Sequence, residues 1–135
     1  MGRRALTLAA LAVAVSLAAG CGSDEQSIAV VKKFYAAVNA EDIDRAMTYV
    51  SQDAVFVNPT GRYDGKAQIR KFLARGTSTD TRFEHSNFRV KAVGRVVYDF
   101  VVMDGGQQVA QGMDGLTRVA EGKIYFDGTE ADEPR

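Results

Sequence analysis

The apolar pattern of this chain changes its period once, near Thr81, and that change limits the folds open to it. Before Thr81 the apolar residues recur at three- and four-residue intervals, which predicts amphipathic helices. After Thr81 apolar and polar residues mostly alternate, which predicts β-strands. We therefore expect an α+β protein in which N-terminal helices pack on one face of a curved antiparallel sheet.

Three helices are predicted in the first part of the domain. The first follows a capping residue at Ser27, and a short second helix follows one at Asp42. A third helix is predicted from Lys66 to Arg75 and ends at Gly76, because glycine commonly terminates helices.

One short strand interrupts the helical part and ends at a proline. Residues 53–58 alternate as a strand requires, and Pro59 has no N–H to donate to a neighbouring strand. The strand is therefore expected to end at Asn58. A side chain held at the end of a buried strand by the following ring points reproducibly in one direction, so we expect Asn58 to face a pocket.

Several features predict the shape of the later sheet. Gly105 and Gly106 favour a tight hairpin, because glycine readily adopts positive φ angles. The phase of the apolar residues shifts near Ser86–Asn87, which predicts a bulge there. Gly112 and Gly115 lie inside a long strand, where glycine is typical of a bend. Strong curvature is therefore predicted.

The strand over residues 96–103 is the most apolar of the chain. It is predicted to place alternate side chains on an inner face. These are Val96, Tyr98, Phe100 and Val102.

The N-terminal segment has the pattern of an export signal. Residues 1–20 combine Arg3 and Arg4 with an apolar run. The run ends in small residues before Cys21, the only cysteine, and this junction resembles the lipobox of bacterial lipoproteins. The resemblance implies a lipidated Cys21 and a protein anchored to the outer face of the bacterial cell membrane. An ordinary secretory signal with an unpaired thiol, or an N-terminal anchor helix, is the alternative.

The remaining chain is long enough for one domain. We expect a tether at 21–26, a domain at 27–127 and a disordered acidic tail at 128–135. The whole chain carries 17 basic and 17 acidic side chains. This balance does not favour binding to nucleic acid.

The order of these elements, together with several short strings, resembles the NTF2-like superfamily, and within it the SnoaL-like and ketosteroid-isomerase-like branch. The resemblance implies a cone-shaped pocket between a curved sheet and three helices, and often dimerisation through the outer sheet face. The strings that carry it are Val31–Asn39 with Asp42, Tyr49 with Asp53–Phe56, Pro59 and Gly61, Gly65 with Ile69 and Phe72, and Gly115–Ile124.

The resemblance also identifies positions where the isomerase branch keeps its catalytic groups. The general base corresponds to Asn58, whose amide cannot accept a proton. The tyrosine of the oxyanion hole corresponds to Phe34, and Tyr35 is expected to face another direction. The acid of the oxyanion hole corresponds to Gly115. No catalytic residue is therefore assigned.

Other chemistry has little support in the sequence. His85 is the single histidine, so no histidine-rich metal site is expected, and no cofactor is predicted. His85 is either a structural residue at a strand edge or a polar group of the pocket. An epoxide-hydrolase-like set of Asp99, Asp114 and Arg118 can be considered, but these side chains are expected at the surface.

The end of the domain departs from the pattern of its relatives. Ile124 is followed at once by Tyr125, Phe126 and Asp127. We therefore expect a short last strand that leaves one side of the cone open.

Together these features favour an exported lipoprotein whose domain binds a small apolar molecule without transforming it. The predicted pocket residues are Phe34, Phe56, Asn58, Tyr98, Phe100 and Met113. The first alternative is a protein-interaction or dimerisation module that uses the outer sheet face and binds no ligand. The second is an enzyme with a non-standard site.

Overall fold

The computed structural model describes residues 23–77 and 80–135, and within them helices come first and most strands later. The helices are α1 (Ser23–Asn39), α2 (Ile43–Met47) and α3 (Lys66–Thr77). The strands are β1 (Val50–Asn58), β2 (Gly61–Asp64), β3 (Thr81–Ala92), β4 (Arg95–Asp104), β5 (Gln107–Ala120) and β6 (Lys123–Thr129), with a short 3-10 helix at Glu130–Asp132. The α+β prediction is confirmed.

The helices agree with the sequence pattern except at their ends. The side chain of Asp42 accepts a hydrogen bond from the backbone N–H of Arg45 at 3.1 Å, so it caps α2 as predicted. α1 begins at Ser23, so residues 23–26 of the predicted tether are helical. α3 continues through Gly76 to Thr77. Among the described residues, no helix has the length and apolar character needed to cross a membrane.

The six strands form one curved sheet in the order β2-β1-β6-β5-β4-β3. The run from β3 to β6 is antiparallel, as predicted, and joined by tight turns. The pair β1 and β6 is parallel, so the sheet is mixed, whereas a curved antiparallel sheet was predicted. β1 and β6 lie far apart in the sequence and no turn connects them. No local sequence pattern therefore predicts that they pair.

The predicted turns and bulges are present. Gly105 and Gly106 have φ angles of 56° and 79° and form the two-residue loop between β4 and β5. Asn87 has a φ of 55°, and the pairing of β3 with β4 shifts between Ser86 and Arg89. Bulges increase the local twist of a sheet, so these features produce its curvature.

The main core lies between the helices and the inner face of the sheet. Val31, Phe34 and Val38 of α1 are buried there against Val96 and Tyr98 of β4. A second, smaller cluster occupies the opposite, outer face. It consists of Val97, Leu116 and Phe126, with Val55, Val57 and Tyr125 packed beside them.

The C-terminal end is ordered, contrary to the predictions of a short last strand and a disordered tail at 128–135. β6 has seven residues and ends at Thr129. Beyond the 3-10 helix, the Glu133 carboxylate accepts hydrogen bonds from Arg95 Nε at 3.0 Å and Nη2 at 2.7 Å, and it also pairs with Arg118. Glu133 is therefore held by basic residues of β4 and β5, which lie 38 and 15 positions from it in the sequence.

Candidate functional site

A cavity of about 420 Å³ lies between α1 and the inner face of the sheet. Aromatic rings and aliphatic side chains form most of its surface, and polar groups gather at a few points. The rings are Tyr35, Phe83, His85, Tyr98 and Phe100, the aliphatic groups include Val102 and Ala110, and the polar groups include Asn58, Gln111, Asp127 and Asp132.

Asp127 of β6 is the centre of a hydrogen-bonded cluster at this cavity. Tyr35 Oη donates to its carboxylate, at 2.9 Å from Oδ1 and 2.8 Å from Oδ2. Thr117 Oγ1 donates to Oδ2 at 2.7 Å, and Tyr98 Oη lies 3.3 Å from the same oxygen. Tyr98 Oη and Thr117 Oγ1 are themselves 2.7 Å apart. Three hydroxyl groups therefore surround one carboxylate.

Burial governs the protonation of this cluster. It raises the pKa of Asp127 from the ordinary 3.8 to about 6, although the hydrogen bonds from Thr117, Tyr35 and Tyr98 act in the opposite direction. Burial, followed by the charge of Asp127, raises the pKa values of Tyr35 and Tyr98 well above their ordinary range. The tyrosines therefore stay protonated and remain hydrogen-bond donors, while Asp127 titrates close to neutral pH.

His85 of β3 faces the same cavity. Its ring centroid lies 3.9 Å from that of Tyr35 and 4.8 Å from that of Tyr98. Burial lowers the pKa of His85 from 6.5 to about 4, so the imidazole is neutral at pH 7. A neutral imidazole has one nitrogen that donates and one that accepts. Of the two roles left open for His85, the structure places it among the polar groups that line the cavity.

The structure brings three of the six predicted pocket residues to the cavity: Asn58, Tyr98 and Phe100. Asn58 ends β1 as expected. Its Oδ1 accepts hydrogen bonds from the backbone N–H of Thr60 at 2.8 Å and from Thr60 Oγ1 at 2.5 Å. The carbonyl of this amide is therefore engaged by the turn that follows Pro59.

The other three predicted residues lie elsewhere. Phe34 and Phe56 are 0% and 4% exposed, and their rings pack edge to face in the core with centroids 5.7 Å apart. Met113 is 75% exposed. The pairing of β4 with β5 shifts between Tyr98 and Phe100, so Gly112 and Gly115 both lie opposite these rings and Met113 turns outward. None of the three lines the cavity.

Sequence reasoning missed the residues of the cluster. Tyr35 was expected to face away from the pocket, and Asp127 was assigned to the end of a short strand. Alternation along β6 would not have indicated Asp127, because it places Asp127 on the face opposite Ile124, which lies in the main core. The pairing of β5 with β6 shifts between Arg118 and Val119, and this shift reverses the faces of Phe126 and Asp127. Thr117 has no sequence signal either, because a single hydroxyl inside an apolar strand is common.

The epoxide-hydrolase-like set is not assembled. Asp99 Oδ2 accepts a hydrogen bond from Asn87 Nδ2 at 3.2 Å. Arg118 Nε donates to Tyr125 Oη at 2.9 Å and pairs with Glu133, and Asp114 is exposed. Within the described chain, no group of three His, Cys, Asp or Glu side chains is placed to hold a metal ion.

Gly115 leaves room for the ring that orders the cluster, so a side chain there should destabilise the fold. A Cβ atom at Gly115 would lie 2.5 Å from Cε2 of Tyr98. We expect Gly115→Ala to cost about 1–3 kcal/mol in the free energy of unfolding, since the ring must shift. Urea denaturation measures this cost. Gly76→Ala is the control, because a Cβ there meets no described atom within 4 Å; equal stability of both variants would contradict the prediction.

Residues 31–126 match the SnoaL-like domain family. No curated protein matches the chain. Its fold is similar to an NTF2-like protein of unknown function from Cytophaga hutchinsonii, with a TM-score of 0.63, 17% identity, and coverage of 75% of this chain and 85% of that one.

Two structures from Mycobacterium tuberculosis are also similar. One is an LEH-like epoxide hydrolase, with a TM-score of 0.63, 22% identity, and coverage of 76% of both chains. The other was solved in complex with estradiol-17beta-hemisuccinate, with a TM-score of 0.66, 14% identity, and coverage of 78% of this chain and 92% of that one. At these identities the likeness concerns the fold. The family match spans most of the chain and the strands curve around the helices as in these structures, so this protein belongs to the SnoaL-like family and has the NTF2-like fold.

Proposed function

We propose that this domain binds a small, mostly apolar molecule in its cavity and fixes one polar group of that molecule beside Asp127. The observation that carries the proposal is an apolar cavity of about 420 Å³ with a carboxylate-hydroxyl cluster around Asp127 on its surface. Small-molecule sites commonly combine such a volume with apolar walls and a few convergent polar groups. The steroid conjugate held by a protein of the same fold is compatible with a ligand of this kind.

The two polar partners in the cavity complement each other chemically. The Asp127 carboxylate accepts hydrogen bonds, and the neutral imidazole of His85 both donates and accepts. A ligand hydroxyl can therefore be paired on both its hydrogen and its oxygen. Neither of the two residues belongs to the originally predicted set.

Blocking the cavity should abolish binding of neutral ring compounds. We expect 2-naphthol and estradiol to bind the wild-type protein in isothermal titration calorimetry, and Ala110→Trp to weaken this binding about ten-fold or more, because Ala110 lines the cavity and an indole there occupies its mouth. Val109→Trp is the matched control. Val109 is 60% exposed and is not among the described residues that line the cavity, so its replacement should leave binding unchanged.

Circular dichroism should show that both variants fold, since both positions are exposed. Absence of binding by the wild-type protein, or equal weakening in the two variants, would contradict the proposal.

A second candidate function is acid-base catalysis on the bound molecule. The observation that favours it is the Asp127 carboxyl, whose pKa of about 6 suits proton transfer near neutral pH. Asp132 adds a second carboxylate to the cavity lining. Mass spectrometry of a ligand recovered after incubation separates the two functions: a changed ligand, and loss of the change in Asp127→Asn, would favour the enzyme.

Three further statements stay predictions. Export and lipidation at Cys21 fall on residues 1–22, outside the described part of the chain. Anchoring to the outer face of the bacterial cell membrane depends on both. A homodimer formed through the outer sheet face is also untested, and sedimentation of the domain would decide it.

A further inference from the structure

Among the described residues that line the cavity, the charged side chains are all acidic. Two carboxylates, Asp127 and Asp132, line it. Among the described residues that line it there is neither a lysine nor an arginine. A ligand that enters this space therefore meets negative charge without a compensating positive group.

Three basic side chains of β4, β5 and α1 have partners outside the cavity. Arg95 and Arg118 pair with Glu133 on the outer face of the sheet. Lys32 of α1 lies over the ring of Phe88, with its Nζ atom 5.1 Å from the centroid. All partners of the Asp127 carboxylate are neutral hydroxyl groups. It is thus a partly buried carboxylate that lacks a cationic partner within the described protein.

Aromatic rings surround the same carboxylate. The rings of Tyr35, His85 and Tyr98 lie within 6.5 Å of one another, centroid to centroid, and all three line the cavity. The faces of aromatic rings attract organic cations, and this attraction strengthens where water is excluded. Carboxylate and rings therefore favour the same sign of charge in a ligand.

We propose that the cavity is selective for an organic cation, in the form of a primary amine joined to a one- or two-ring aromatic body. The ammonium group pairs with Asp127, and the aromatic body lies against Phe83, Phe100 and Val102. This inference rests on the proposed function and specifies its ligand class. An organic anion is disfavoured, because its carboxylate would be brought next to Asp127 without a cation between them.

Three indole compounds that differ at one end group test the selectivity. Tryptamine carries an ammonium group, tryptophol a hydroxyl group and indole-3-acetate a carboxylate. Calorimetry near neutral pH should show tryptamine binding about ten-fold tighter than tryptophol or more, since a hydrogen bond to a charged partner contributes more than a neutral one. Indole-3-acetate should bind most weakly.

Asp127→Asn should remove the preference for tryptamine over tryptophol, because it removes the negative charge that distinguishes the two ligands. The readout is the ratio of the two affinities, and circular dichroism shows whether the variant folds. Asp114→Asn, which neutralises an exposed aspartate of β5, should keep the preference. The comparison of the three ligands with the wild-type protein tests the selectivity even if a variant fails to fold.

The outcomes separate the two proposals. If tryptophol or indole-3-acetate binds as tightly as tryptamine, the inference of cation selectivity is overturned and the proposed binding function stands. If tryptamine fails to bind while 2-naphthol binds, the inference of cation selectivity is likewise overturned and the proposed binding function stands. If none of these compounds binds, the proposed function falls and the selectivity falls with it.

Discussion

In Asp127→Asn the free energy of unfolding should rise between about pH 4 and pH 6.5, and in His85→Gln it should fall over nearly the same range. The two groups are neighbours in one cavity, but burial shifts them in opposite senses. Each variant removes one contribution and leaves the other visible.

Asp127 favours the folded state at low pH. Its pKa is raised from 3.8 to about 6, so the folded protein binds this proton more tightly than the unfolded chain does. The resulting stability is fully present below about pH 4 and is lost as the pH rises through about 6. A shift of this size corresponds to about 3 kcal/mol.

His85 has the opposite effect. Its pKa is lowered from 6.5 to about 4, so the unfolded chain binds this proton more tightly. Stability from the neutral imidazole is present above about pH 6.5 and is lost as the pH falls through about 4. The contribution of His85 to the free energy of unfolding is again about 3 kcal/mol. The pH dependences of the two contributions therefore nearly cancel in the wild-type protein.

Urea denaturation in steps from about pH 4 to about pH 7 measures these slopes. Comparison among variants cancels the titration of groups that all of them share, including Glu130 and Glu133. Met113→Ala removes an exposed side chain that does not titrate, so it is the control and its curve should run parallel to the wild-type curve. If the curves of Asp127→Asn and His85→Gln run parallel to the wild-type curve, these side chains do not occupy the dry environment described above.

Phe34→Ala should cost about 3–5 kcal/mol in the free energy of unfolding, as removal of a buried phenylalanine ring typically does. Phe34 is fully buried, and its ring packs against those of Tyr35 and Phe56. Met113→Ala should change stability by about 0.5 kcal/mol or less, because Met113 is 75% exposed.

Chemical denaturation of the two variants measures this difference. The sequence predicted both residues to line a pocket, and two side chains with that role would give similar, moderate costs. A cost for Met113→Ala close to that for Phe34→Ala would contradict the positions that the structure gives them.

The parts of the fold that sequence could predict are encoded by nearby residues. Asp42 caps α2 by accepting a hydrogen bond from the backbone of Arg45, three residues later. Gly105 and Gly106 form a hairpin turn because both adopt positive φ angles. The bulge at Asn87 is visible because the apolar phase shifts around it. In each case the signal lies within a few residues of the feature that it predicts.

The candidate site could not be predicted in the same way, because its contacts join distant residues. Tyr35 and Asp127 are 92 positions apart and meet because β6 pairs in parallel with β1. The outward turn of Met113 depends on how β5 aligns with β4. Glu133 is held by Arg95, which is 38 positions away. Composition suggested a solvated tail, whereas long-range pairing determines its position.

Methyl NMR of the protein with 2-naphthol is the most direct measurement of where a ligand binds. The methyl groups of Val102 and Ala110, which line the cavity, should shift as the compound is added. Those of Val97, on the outer sheet face, and Val93, which is 89% exposed, should stay in place. Shifts confined to Val97 and Val93, or no shifts at all, would contradict the account of a ligand site beside Asp127.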